Sequence, residues 1–230
     1  MVVSNPNPAT PEPARPAGPG RPKDLGKRAA ILDVAKRLFS QHGFDGVSMD
    51  QIAAEAGVSK LTVYSHFGDK ESLFSSAIRA KCEEQLPSAL FLAGLEGSLR
   101  EQLTAIGRAF FLLITSEEAI AMHRMMMMPG TGDTPVRELF WQAGPQQIKD
   151  VFADFLRSRV ARDELRIPDI ARAASQFLCL VKGEFHMQML CGMGCEAPAD
   201  DIEHHIEATV DLFLSAYGHD ACGDAAGTPG

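Results

Sequence analysis

Apolar side chains along this chain recur with the period of a helix, not of a strand. From Asp24 onward, Ile31, Ala35 and Leu38 fall at i, i+4 and i+7, with Leu32 and Phe39 beside them, which makes one face of an α-helix. Gly43 stops it. Ser48, with Gln51 three residues later, predicts a capping box opening a second, short helix that carries Ile52, Ala53 and Ala56 and ends at Gly57. Ser59 caps a third, Lys60 to about Phe67, before Gly68. Asp69 caps a fourth that reaches about Leu86, ahead of Pro87.

The remainder keeps the same period. Leu90 to Thr115 is apolar at helical spacing. Thr115 and Glu118 predict a capping box for a helix ending at the Met125–Met128 run and Pro129. Thr134 followed by Pro135 reads as an N-cap with proline at the first helical position. Gly144-Pro145 predicts a break or kink in the helix beyond them. Pro168-Asp169 starts a long helix to about Leu190, and Pro198 opens a last one to Tyr217. No stretch alternates with period two for long and no repeat is present, so the chain reads as all-α with about nine helices.

Composition narrows the class. The 230 residues are 45% hydrophobic and 23% charged, ordinary for a globular protein. Residues 1–20 hold six prolines and almost no large apolar side chain after Val3, too little to offset ordering entropy, so a disordered tail is expected there and another over 221–230. The odd set Cys82, Cys179, Cys191, Cys195 and Cys222 argues against a secreted disulfide scaffold. No apolar run approaches the ~18 residues of a membrane span, and no apolar core of a signal peptide precedes the first helix. The reading is a cytoplasmic protein without membrane contact.

The net charge of −8 speaks against nucleic acid until its distribution is seen. Residues 1–75 are net +1 and residues 76–230 net −9, and residues 15–40 carry seven basic against two acidic side chains. This is a basic contact end on an acidic body, or simply a solvated face.

Residues 47–67, VSMDQIAAEAGVSKLTVYSHF, place two short helices about the turn Gly57-Val58-Ser59. Ala53 is small where the helices cross, Val58 plugs the interface, and Ile52, Val63 and Phe67 face the first helix. Lys60, Leu61, Thr62, Tyr64, Ser65 and His66 then point outward. That is the pattern of a helix-turn-helix whose second helix enters the major groove, although an ordinary αα-hairpin shares the spacing.

Residues 24–74, and above all GVSKLTVYSHFGDKESLF (57–74), resemble the DNA-binding domain of the TetR/AcrR family of helix-turn-helix transcriptional regulators. Gly20-Arg21-Pro22-Lys23 resembles the basic arm ahead of that domain in one branch of the family. Leu61 and Ser65 depart from the commonest form, in which a small residue and a second aromatic are frequent, and both departures face outward. The resemblance implies residues 21–70 as a three-helix DNA-binding domain and residues 71–220 as a larger helical domain for ligand binding and dimerisation. It implies no catalysis, and no G-x-S-x-G, P-loop or H-E-x-x-H motif suggests any.

The side chains suit these roles. Lys60 can donate to guanine O6/N7 or to phosphate, and Leu61 can pack on a thymine methyl. Thr62, Tyr64 and His66 can donate to phosphate oxygens. Lys70, Ser48 and Ser59 stand at helix starts, where an anion is favoured. Arg21 and Lys23 can enter the minor groove. By resemblance, a homodimer reads a palindromic double-stranded DNA operator, with Phe177, Leu180, Val181, Phe185, Leu212, Phe213 and Tyr217 as candidate dimer contacts; monomer core is the competing reading. Phe110, Met122, Met125, Met126, Trp141, Phe152 and Phe155, with Phe111 beside them, are candidates to line a pocket for a small apolar or amphipathic effector. The expected regulator is a repressor released by that effector, with no cofactor and no metal. Two rivals stand beside it: a metal- or thiol-sensing regulator using Cys191, Cys195 and His204, and a helical adaptor that binds protein and not DNA.

Overall fold

Short polar side chains set the helix starts in the N-terminal third. In the computed structural model, which describes residues 25–91, 97–128, 134–193 and 198–219, α1 (Leu25–His42) is followed by three capped helices. Ser48 accepts from the Gln51 N–H to start α2 (Met49–Glu55), Ser59 from the Thr62 N–H to start α3 (Lys60–Phe67), and Asp69 from the Ser72 N–H to start α4 (Lys70–Gln85). Only half of the predicted box at α2 forms, because the Gln51 amide donates to Glu55 Oε1 at 3.4 Å. The predicted tails, Arg21 and Lys23, and Cys195 lie outside the described residues.

Three boundaries in the body differ from those the sequence predicts. The helix placed from Leu90 is a short 3-10 turn (Ser88–Phe91) followed, after Gly97, by α5 (Leu99–Thr115), whose start carries a complete capping box between Ser98 and Glu101. Ser116, not Thr115, caps α6 (Glu117–Met127), since the Thr115 hydroxyl is spent on the Phe111 carbonyl inside α5. Gly144-Pro145 does not break its helix. Proline removes one N–H and crowds the carbonyl a turn behind. Here α7 (Thr134–Trp141) widens through a π-turn (Gln142–Gln146) and continues directly as α8 (Gln147–Val160). With that rod counted once, nine helices are present among the described residues, which form no strand.

Asp169 caps α9 (Ile170–Leu190), which is interrupted at Gly183 (φ 52°, ψ −156°). The two carbonyls exposed by the break, Leu180 and Val181, accept from Nε2 of His205 at 3.0 and 3.2 Å. His205 belongs to α10 (Ala199–Tyr217). Carbonyls freed by a helix break need new partners, and one imidazole supplies both.

Two apolar cores result. The first packs Ile31, Leu38 and Phe39 of α1 against Ile52, Val63, Leu73 and Phe74, with Met122 of α6 and Val136 of α7 joining from the body. Phe39 and Phe74 meet edge-on at 5.1 Å. The second gathers Leu103, Ile106, Phe110, Phe152, Phe155, Phe177, Val181 and Phe213. Because Leu73, Phe74 and Ala77 belong to the first core, α4 runs across the expected boundary at 70/71 and ties the two halves together.

Candidate functional site

The turn between α2 and α3 is a Schellman motif. Val58 N–H reaches back to the Ala53 carbonyl at 3.0 Å and Gly57 N–H to Ala54 at 3.3 Å, which requires the left-handed backbone that Gly57 adopts at φ +65°. This turn fixes the angle at which α3 leaves. Val63 is wholly buried and Phe67 nearly so, with the Arg28 guanidinium 5.0 Å over the Phe67 ring. The opposite face is open: Leu61 is 78% exposed and Tyr64 41%.

Around these two side chains the polar groups are arranged more tightly than the sequence suggests. Lys60 donates to Asp50 Oδ2 at 2.9 Å, and that hydrogen bond raises its pKa. Ser59 and Thr62 share a hydroxyl hydrogen bond of 2.8 Å. His66 is half-buried and its Nδ1 is enclosed without a partner, so it offers the exterior less than expected. Lys70 lies 4.3 Å over the Phe44 ring. Asp69 beside it is held below its usual carboxylate range by hydrogen bonds from Ser72. An Arg37–Glu55 pair joins α1 to α2, and the Arg37 hydrogen bond lowers the Glu55 pKa. Sequence reasoning missed Asp50, Arg37 and Glu55; Asp50 was findable, since it sits in the first turn of α2 in the motif itself. The outcome is a short helix with an exposed apolar knob and hydrogen-bonding groups on either flank.

A cavity of about 780 Å³ lies between this N-terminal unit and the body. Its walls come from α1, α4, α5, α6, α7, the π-turn, α8 and α9. Of the side chains expected there, Phe110, Met122 and Trp141 line it. Phe152 and Phe155 do not, a correction: both are sealed in the second core, where Phe152 packs 4.9 Å from Phe177. Met125 and Met126 also fall outside the lining; Met126 packs on the first core and Met125 against Gly43. Phe140, Leu178, His123 and Lys182 line the cavity although no sequence pattern marks them. Its rim is charged, with Lys36 paired to Asp33 and Glu84, and Lys81 to Glu118. Burial pushes the Cys82 thiol up to about 11.

The candidate dimer contacts divide. Phe177, Val181 and Phe213 are buried in the chain's own core and present nothing to a partner, which corrects the expectation for those three. Phe185 is half-buried against Phe111 at 5.8 Å, and the Tyr217 hydroxyl donates to Gln176 at 2.9 Å. Leu180 and Leu212 are 40% and 56% exposed. Cys191 and His204 are exposed, and no cluster of three or more His, Cys, Asp or Glu that could hold a metal occurs among the described residues. None of the described helices is long and apolar enough to cross a membrane.

Residues 31–77 match the family model for bacterial regulatory proteins of the tetR family, and residues 101–219 match the C-terminal domain of AefR-like transcriptional repressors. The uncharacterized HTH-type transcriptional regulator YdeS of Bacillus subtilis is 31% identical over 106 residues, 39% of this chain and 54% of that one. The HTH-type transcriptional regulator AcrR of Shigella flexneri is 54% identical over 48 residues, 21% of this chain and 22% of that one. The chain thus spans about half the length of the first of these curated relatives and less of the second. Among solved structures, the flavonoid-responsive regulator FrrA superposes with a TM-score of 0.65 at 33% identity, covering 85% of this chain and 98% of that one. A putative TetR-family regulator from Mesorhizobium loti reaches 0.69 at 23% identity over 86% and 99%, and shows the shared fold. These matches are transcriptional regulators, not enzymes. One of the two matching models alone covers more than half of the residues, so the chain belongs to the tetR family of bacterial transcriptional regulators, DNA-binding proteins with an N-terminal helix-turn-helix.

Proposed function

We propose that the protein is a repressor that binds a palindromic operator as a homodimer and is released when a small, largely apolar effector occupies the cavity. The observation that carries this reading is shared walls. Lys36, Phe39 and Ser40 of α1 and Ile78, Lys81 and Cys82 of α4 face the cavity, while other faces of the same two helices hold α2 and α3 in place. A ligand that fits one separation of these walls better than another shifts the spacing of two recognition helices, and it acts only through that difference in affinity. A hundredfold release corresponds to about 2.7 kcal/mol of coupling. The flavonoid response named for FrrA supports an aromatic effector of similar size.

On DNA, Leu61 reads a base by apolar contact, while Ser48, Ser59, Thr62, Tyr64 and Lys70 position the backbone. Lys60 is available once it leaves Asp50. The exposed Leu180 and Leu212 on α9 and α10 are the side chains to be covered in the dimer, in which half-sites stand about one turn, ~34 Å, apart. Function on chromosomal DNA implies a cytoplasmic protein. Selection of bound sequences from random DNA tests the reading: an enriched palindrome supports it, and the absence of any enriched site refutes it.

A further inference from the structure

Apart from its charged rim, the cavity has a polar corner where His123 of α6 and Lys182 of α9 line it and His186 of α9 packs against His123. His123 Nδ1 lies 2.7 Å from the Ala119 carbonyl. A carbonyl only accepts, so Nδ1 carries the proton and, in the neutral ring, Nε2 keeps its lone pair. Burial lowers the pKa of the ring and Lys182 acts in the same direction, against the raising effect of the Ala119 hydrogen bond, so the neutral form is favoured. The His186 ring stands edge-to-face with His123 at 5.2 Å, and its own buried Nε2 has no partner. Phe140 closes the other side, perpendicular to His123 at 5.3 Å. Lys182 forms no ion pair among the described residues.

We propose that this corner reads a phenolic hydroxyl, so that the effector is a planar hydroxylated aromatic whose O–H donates to Nε2 of His123 while the Lys182 ammonium faces the same oxygen. The inference rests on the cavity being the effector site and names what the site recognises. The alternatives fit less well. A carboxylate brings no proton to Nε2 and sets lone pair against lone pair. An aliphatic alcohol is a weaker donor than a phenol and lacks the flat ring that Phe110, Phe140 and Trp141 accommodate. A plain hydrocarbon leaves His123 and Lys182 desolvated without a partner, a cost of the order of a lost hydrogen bond.

The test uses the full-length protein and three probes: 7-hydroxyflavone, 7-methoxyflavone and unsubstituted flavone. Trp141 is the only tryptophan and lines the cavity, so quenching of its emission reads occupancy without DNA. The hydroxylated probe binds at least about tenfold tighter than the other two. His123→Phe removes that preference, and His123→Gln, which again presents an acceptor, restores part of it. Circular dichroism of both variants separates loss of recognition from loss of fold. Equal binding of the hydroxy and methoxy probes, no binding of any probe, or an unchanged preference in a folded His123→Phe protein overturns the inference. Release of selected DNA is followed separately: the hydroxyl preference without DNA release sustains this inference and refutes the repressor mechanism.

Discussion

Two glycines with the same backbone should respond differently to the same substitution. Gly57 (φ +65°) and Gly43 (φ +72°) both occupy the left-handed region, yet a Cβ on Gly57 would meet nothing within 4 Å, while one on Gly43 would overlap the sulfur of Met125. An L-residue in that region costs about 1–2 kcal/mol, and alanine recovers roughly 0.5–1 kcal/mol by stiffening the unfolded chain. Gly57→Ala should therefore destabilise by about 1 kcal/mol. Gly43→Ala carries the same strain and adds overpacking of about 1–3 kcal/mol, for a total of about 2–4 kcal/mol. In a chain of this size each kcal/mol lowers Tm by about 2–4 °C. The assay is thermal and urea unfolding at fixed protein concentration, because dimer dissociation shifts apparent stability. The excess for Gly43→Ala should largely vanish in Gly43→Ala/Met125→Ala, giving a coupling of about 1–3 kcal/mol in the double-mutant cycle. Equal costs for the two glycines, or strict additivity with Met125→Ala, would refute the described seat of α6 on the end of α1. Because α6 also presents Met122 and His123 to the cavity, loosening this seat should weaken the link between ligand occupancy and DNA release.

The same geometry sets other outcomes. Tyr64→Ala should weaken specific and non-specific DNA alike, whereas Leu61→Ala should change the preferred sequence; equal losses on both DNAs for Leu61→Ala in filter binding would exclude base readout by that side chain. Asp50→Asn removes the partner of Lys60 and a negative charge from the DNA face, so DNA binding should tighten and the slope of log K against log salt should steepen by about 0.9, one more phosphate contact; an unchanged slope counts against Lys60 meeting phosphate. Burial holds His186 down to about 4 from 6.5. Its neutral form contributes stability that is complete above pH 6.5 and lost as pH falls toward 4, where the unfolded chain takes up the proton first. His186→Phe should flatten that limb of a pH–stability curve, and an unaltered limb would place the effect elsewhere.

Local sequence determined the helix-turn-helix almost completely. Ser48, Ser59 and Asp69 cap within three residues of themselves, Gly57 makes its own turn, and the period of Ile52, Val63 and Phe67 picks out the buried side, so the caps and the turn that shape the motif are local to it. The fold class was legible for the same reason: helical hydrogen bonds are local, and apolar periodicity records which face is covered. What covers that face is a tertiary matter. Phe110 and Phe152 carry the same apolar signal, yet one borders an empty space and the other is sealed by Phe177, a distinction made only by how α5, α8 and α9 cross. The meeting of His123 with His186 some sixty residues later likewise depends on helices brought together from distant parts of the chain. The residues proposed to touch DNA lie along one short stretch because a single turn presents them; the side chains that line the cavity are scattered through the sequence, because a cavity is the space several helices leave between them.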